Sequence, residues 1–349
     1  MGECVFYTRG IKLNEKVDYD MQARDETIDT LRGIGIIFVV LGHLLSDGPH
    51  NTLYNDGQLY RYIYSFHMPL FFILSGYCFK YRDTFKGYLI HKLKTLALPY
   101  YASVFISIFF TICFSNIYDF NRFVDALILS GTNLAYVNNF ALWFYPVIFL
   151  ASIIFYWMYI LLKKVYINVV LIIVLSFCVF WFDTNFLVQF LHGEISVWGL
   201  SVVPQAVLFM CVGYFFKQIH LFKYCICFPI SCLLLFFVLY YSAIFSGSML
   251  FIVRYSYFIV AIISVILWYD VSTHLRFTKL MWLGRNSIYF FSLHLLVGKF
   301  IVESSFQLLI RKIFGDSILW VLVDLILIII ICSAIRCVYS WGIKQFKEG

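Results

Sequence analysis

Long apolar stretches separated by short polar ones dominate the chain, and their lengths set the expected fold. A bilayer core of ~30 Å takes about 20 mostly apolar residues per helix. On that measure ten spans are predicted, over 33–46, 62–80, 96–116, 142–162, 167–182, 197–216, 225–243, 251–269, 286–302 and 317–340. Connections are short except for 117–141, whose NRFVDALIL stretch reads as a helix lying at the membrane interface. No internal repeat and no linker interrupts the pattern. The expectation is one all-α integral membrane domain covering 1–349: a polar segment, 1–27, ahead of a transmembrane bundle over 28–341 of about ten helices.

The basic residues orient that bundle. If the N-terminus is cytoplasmic and the spans alternate, twenty of the 26 Lys and Arg residues fall in inside segments and six in outside loops. The six are Arg61, Arg122, Arg254, Lys299, Arg311 and Lys312. Such a bias predicts that both termini face the cytoplasm.

Composition agrees with the pattern. Hydrophobic residues make up 62% of the chain and charged residues 13%, against roughly 25% charged in a soluble domain. The aromatic share of 21% suits helices that meet both lipid tails and headgroups. A net charge of +7 does not point to nucleic acid, because the basic residues sit singly in short loops rather than in one patch. The ten cysteines include no CxxC pair, and most lie in apolar runs where a thiol acts as a small hydrophobe. The polar first 27 residues have no apolar core, so no cleavable signal peptide is expected.

Polar residues inside spans are costly and mark candidate chemistry. His43 lies near the outer end of span one, His67 early in span two, His294 near the middle of span nine, and Arg32 at the cytoplasmic mouth of span one. Arg32 and His43 are 11 positions apart, about three helical turns, so they share a face about 16 Å apart along the axis. Asp47 is one turn beyond His43, at the spacing that lets it hold the imidazole in one tautomer. Bland readings stand beside these. A histidine in a span also packs or bonds between helices, Arg32 also suits a membrane anchor, and Asp47 also suits a turn. A metal site finds no support, since no histidines are paired three or four residues apart.

Read in order, several segments resemble the membrane-bound acyltransferase family 3. They are RDETIDTLRGIGIIFVVLGH (24–43), IYSFHMPLFFILSGYCF (63–79), LALPYY (96–101), ALWFYPVIF (141–149) and LGRNSIYFFSLH (283–294). The FHMPLFF form is most similar to the fucose 4-O-acetylase-like and enterobacterial-common-antigen acetylase branch. The resemblance implies O-acyl transfer, usually of acetyl from acetyl-CoA, to a sugar hydroxyl of a surface glycan. It implies a catalytic role for His43, a donor-binding role for Arg32, and substrate or thioester positioning for His67, Ser75 and Gly76. His294 joins the positioning group. Asp47 is expected beside His43, and Arg24, Lys80 and Arg82 beside Arg32 on the cytoplasmic side.

A histidine suits a base near neutral pH, and a guanidinium fork suits CoA phosphates. Acetyl-CoA is expected as a co-substrate with no bound cofactor and no metal. The expected partners are a lipid-linked or polymeric glycan, the bilayer and glycan-assembly proteins, and the expected location is a bacterial cytoplasmic membrane. The rival from another class is a polysaccharide or small-molecule exporter, in which buried His and Arg also occur.

Overall fold

A computed structural model describes residues 25–46, 58–82, 84–115, 119–161, 169–182, 197–221, 230–231, 234, 250–275, 277–302, 304, 312 and 318–348. Among these residues every regular element is helical. Helix α1 spans Glu26–Ser46 and α2 spans Gln58–Tyr77. Helix α3, Phe85–Lys92, runs through a π-turn, Leu93–Ala97, into α4, Leu98–Ser115. Then come α5 (Phe120–Ile128), α6 (Phe144–Leu161), α7 (Val169–Phe182) and α8 (Val203–Gln218). The last four are α9 (Leu250–His274), α10 (Thr278–Arg285), α11 (Ser287–Val302) and α12 (Ile318–Glu348).

Among the described residues, five stretches are long and apolar enough to cross a membrane: Glu26–Leu45, Phe85–Phe114, Phe140–Leu161, Val197–Gln218 and Leu319–Ser340. Two shorter apolar helices, Phe258–His274 and Ser287–Ile301, accompany them. The expected seventh span, 225–243, falls almost wholly outside the described residues.

Several helices extend beyond the spans expected from hydropathy, for local reasons. α1 starts at Glu26 because Asp25 caps it: its Oδ1 accepts from the amides of Thr27 (3.0 Å) and Ile28 (3.3 Å). Acidic Glu26 and Asp29 in the first turn suit the positive end of the helix dipole. The third expected span begins at 96, but helix continues back through the π-turn to Phe85, where Thr84 Oγ1 accepts from the Gly87 amide at 3.2 Å. Lys86, Lys92 and Lys94 therefore sit on helical turns rather than in a loop. The NRFVDALIL stretch does form a helix, α5, capped by Asp119 and burying Phe123 and Ala126.

α1 is the axis of the bundle. It packs along α10 and α2, and also touches α9, α11 and α12. A span made of α1 has 78% of its residues buried, against 28% for the spans containing α4 or α12. Two crossings are close enough to need glycine. A Cβ on Gly284 of α10 would collide with the Asp29 carbonyl of α1, and one on Gly213 of α8 with the Ile73 carbonyl of α2. Small residues at crossings are how apolar helices approach closely where no hydrophobic drive acts between them.

Candidate active site

The α1–α10 crossing creates a charged cluster at the start of α1. Asp29 is 1% exposed. Its Oδ2 accepts from Arg285 Nε at 2.9 Å, and its Oδ1 lies 3.6 Å from Arg32 Nη1. Arg32 Nη2 also donates to Cys78 Sγ, at 3.4 Å, which ties the cluster to the end of α2. The buried carboxylate thus holds two partly exposed guanidiniums, at 26% and 43% side-chain exposure. Two such forks match the oxygens of a phosphate or diphosphate.

Three turns further along the continuous α1 helix, about 16 Å by helical rise, stands His43. Its Nδ1 lies 2.9 Å from the Val39 carbonyl and 3.2 Å from His294 Nε2. The Nδ1 of His294 faces the carbonyls of Phe290 and Phe291, each at 3.0 Å. The Nδ1 of His67 faces the Ile63 carbonyl at 2.7 Å.

A carbonyl can only accept, so in each neutral imidazole the hydrogen is assigned to Nδ1 and the lone pair to Nε2. The pair then has one consistent arrangement: His43 Nδ1–H is shared between Val39 O and the lone pair of His294. This leaves the basic nitrogen of His43 on Nε2. His67 and His294 are buried at 4% and 2% exposure, whereas His43 is only half-buried. Of the three imidazoles, His43 is the most exposed.

The structure brings some of the candidate residues together and separates others. His43 and His294 touch, with ring centroids 5.0 Å apart. His67 joins them through Tyr64, whose ring centroid lies 4.9 Å from His67 and 6.4 Å from His43. Ser75 sits half-buried on α2, one residue before Gly76, whose Cβ position is occupied by the Met210 backbone of α8. Lys80 and Arg82 are exposed beyond the end of α2, where the Arg82 carbonyl accepts from Tyr156 Oη at 2.9 Å. Arg24 and Asp47 lie outside the described residues.

Hydropathy reading passed over several groups that matter here. Asp29 was legible as the acid three residues before Arg32, and Arg285 as the basic residue of LGRN, yet only their contact joins them. Asp270 and Asp324 are carboxylates in apolar helices, 2% and 0% exposed, and Ser231 Oγ donates to Asp270 Oδ2 at 2.7 Å. Lys299, expected in an outside loop, lies within α11 and donates to Asn138 Oδ1 at 2.6 Å. Asn139 is fully buried and donates to Ser107 Oγ (3.0 Å) and the Ser292 carbonyl (2.9 Å), joining α4 to α11. Among the described residues no group of His, Cys, Asp and Glu is arranged to hold a metal ion.

A stretch of 56 residues is 48% identical to the nodulation protein NolL of Sinorhizobium fredii (strain NBRC 101917 / NGR234), covering 16% of this chain and 15% of that protein. No solved structure matches the chain. The model of the acyltransferase family 3 domain matches residues 25–337, from the cap of α1 to the C-terminal part of α12, and the chain belongs to that family.

Proposed function

We propose that this acyltransferase moves an acetyl group from cytoplasmic acetyl-CoA to a hydroxyl of a cell-surface polysaccharide or its lipid-linked precursor. It works as a bundle of about ten spans in a bacterial cytoplasmic membrane, with both termini inside. The observation that carries this reading is the pairing on α1 of a guanidinium held by a buried acid with an accessible imidazole three turns away. Arg32 takes the CoA phosphates, and exposed Lys80 and Arg82, with Arg24, add charge on the same side. The pantetheine arm then runs along α1 toward His43.

The chemistry follows from the tautomer. His43 Nε2 removes the proton of the acceptor hydroxyl as its oxygen attacks the thioester carbonyl. The tetrahedral intermediate collapses with loss of the CoA thiolate, which takes the proton back from His43. The products are an O-acetyl ester and free CoA. Meanwhile His294, fixed by two backbone carbonyls, holds His43 Nδ1–H in place. His67 and Ser75 position substrate, and Asp47, one turn beyond, offers a negative charge to the imidazolium that forms as the proton is taken. The acceptor enters from the outer side, with no cofactor or metal involved.

The test is donor turnover by the purified protein in liposomes, using acetyl-CoA labelled in the acetyl group and an extract of lipid-linked glycans. Label should pass to glycan with release of CoA. Arg32→Ala should raise the acetyl-CoA requirement more than the acceptor requirement, and Arg32→Lys should restore only part, since a point charge lacks the fork. A normal acetyl-CoA requirement in Arg32→Ala would remove the donor assignment.

A further inference from the structure

A second site lies on the other side of α11. Helices α4, α11 and α12 enclose a groove of about 940 Å³, within the roughly 300–1,000 Å³ of cavities that hold a small molecule. Its walls include Ala102 and Phe110 of α4, Leu296 and Phe300 of α11, and Ile331 and Ile335 of α12. Polar groups gather at one end, where Asn286, Tyr339 and Arg285, the last already paired with Asp29, line it. Arg336 is held at that end too: its Nε donates to Asn286 Oδ1 at 2.9 Å, and its guanidinium lies 4.4 Å from the Tyr289 ring centroid. From Asn286 to Phe300 the groove runs about 21 Å along α11, more than half of a ~30 Å bilayer core.

We propose that this groove holds one hydrocarbon tail of an anionic phospholipid, with the lipid phosphate at Arg336. The shape is that of a tail, long and apolar with a single polar end. The charge at that end selects an anion: Arg336, whose Nε bonds the neutral Asn286, offers a planar fork that suits phosphate oxygens. Acetyl-CoA does not fit the same evidence. Most of the α11 residues that line the groove (Ile288, Tyr289, Ser292, Leu296 and Phe300) lie on the opposite side of the helix from His294, with Leu293 and Val297 at its flanks. A thioester in the groove would be walled off from His43 by α11 itself. The lipid instead fills the outer side of the helix that carries His294, completing the packing that α4 and α12 leave open.

The test uses the whole protein in phosphatidylcholine nanodiscs. Traces of phosphatidylglycerol or phosphatidylcholine carry a diazirine on one tail, and labelled peptides are mapped after illumination. The phosphatidylglycerol probe should label α4, α11 and α12 more strongly, by about fivefold for each basic group that it meets. Ala102→Trp, which fills the groove, should remove that labelling. Arg336→Gln should cut the preference for phosphatidylglycerol while tail labelling persists. If Ala102→Trp is not monodisperse, Arg336→Gln carries the test alone. Equal labelling by the two headgroups, labelling on other helices, or displacement of the probe by acetyl-CoA would each overturn the proposal.

Discussion

The two faces of α11 are built on different principles. On one, Phe290, Phe291 and His294 are all 6% exposed or less, and the imidazole is fixed by two backbone carbonyls and by His43. On the other, Ser292 and Leu296 are also buried, at 6% and 3%, but Ile288 and Phe300 toward its two ends are 40% and 55% exposed beside an open groove. One helix thus presents a fixed polar pair inward and a partly open, mainly apolar surface outward. Chemistry needs groups held to fractions of an ångström, so each imidazole is bonded through its backbone as well as packed. A lipid-filled groove needs only shape and a charge at one end.

The sharpest way to break this contrast is to remove His43, the imidazole proposed as the base. His43→Ala should lower glycan acetylation by about 10²–10⁴, the usual contribution of a general base. Membrane insertion should persist, because α1 is held mainly by its apolar packing. His294→Ala should cost less, since it removes only the group that orients His43. Both are read from labelled acetyl transfer by protein matched for amount in the membrane. A stable His43→Ala protein that acetylates at the normal rate would end the catalytic assignment.

Next in size is the acid that holds the two guanidiniums. Asp29→Asn keeps the shape and loses the charge, and hydrogen bonds to charged groups contribute about 1.5–3 kcal/mol each. The expected result is a rise of roughly 10–100-fold in the KM for acetyl-CoA, with a smaller change in kcat. A kcat defect alone, with KM unaltered, would assign Asp29 to packing rather than to donor binding. A structural change nearby gives a useful contrast. Gly284→Val places side-chain atoms against the Asp29 carbonyl, and overpacking of this kind costs about 1–3 kcal/mol. It should lower thermal stability in detergent and reduce activity through misplacement of Arg285.

How much of this was readable from the chain divides along the same line. The periodicity and length of apolar runs carried the helical bundle, because each span must satisfy its own backbone bonds within the bilayer. The 11-residue spacing carried the shared face of Arg32 and His43, since it depends only on one helix. The contact of His43 with His294 spans 251 positions, and that of Asp29 with Arg285 spans 256. Such pairs depend on which helices cross, and hydropathy does not encode a crossing. The glycines that allow the crossing were visible as letters, but their partners were backbone atoms of another helix. Helix ends were misjudged for a related reason: the polar cap at Asp25 and the polar turns of α3 are helical although they are not apolar.

The smallest expected effect lies on the groove side and comes from Tyr145. Its hydroxyl lies 2.6 Å from Ser292 Oγ and donates to the Ile288 carbonyl at 3.0 Å, tying α6 to α11. Ser292 Oγ also has a bond of its own, to the Ile288 carbonyl at 2.9 Å. Tyr145→Phe therefore removes one link while leaving no buried polar atom of Ser292 or Ile288 without a partner. Hydrogen bonds between membrane helices average about 0.6 kcal/mol, so thermal stability should fall by only that order. Acetyl transfer should stay near normal, because the orientation of His294 depends on the Phe290 and Phe291 carbonyls and on His43, none of which Tyr145 bonds. If Tyr145→Phe instead matched the loss seen in His294→Ala, the two faces of α11 would not be independent, and the groove would have to be counted as part of the catalytic machinery.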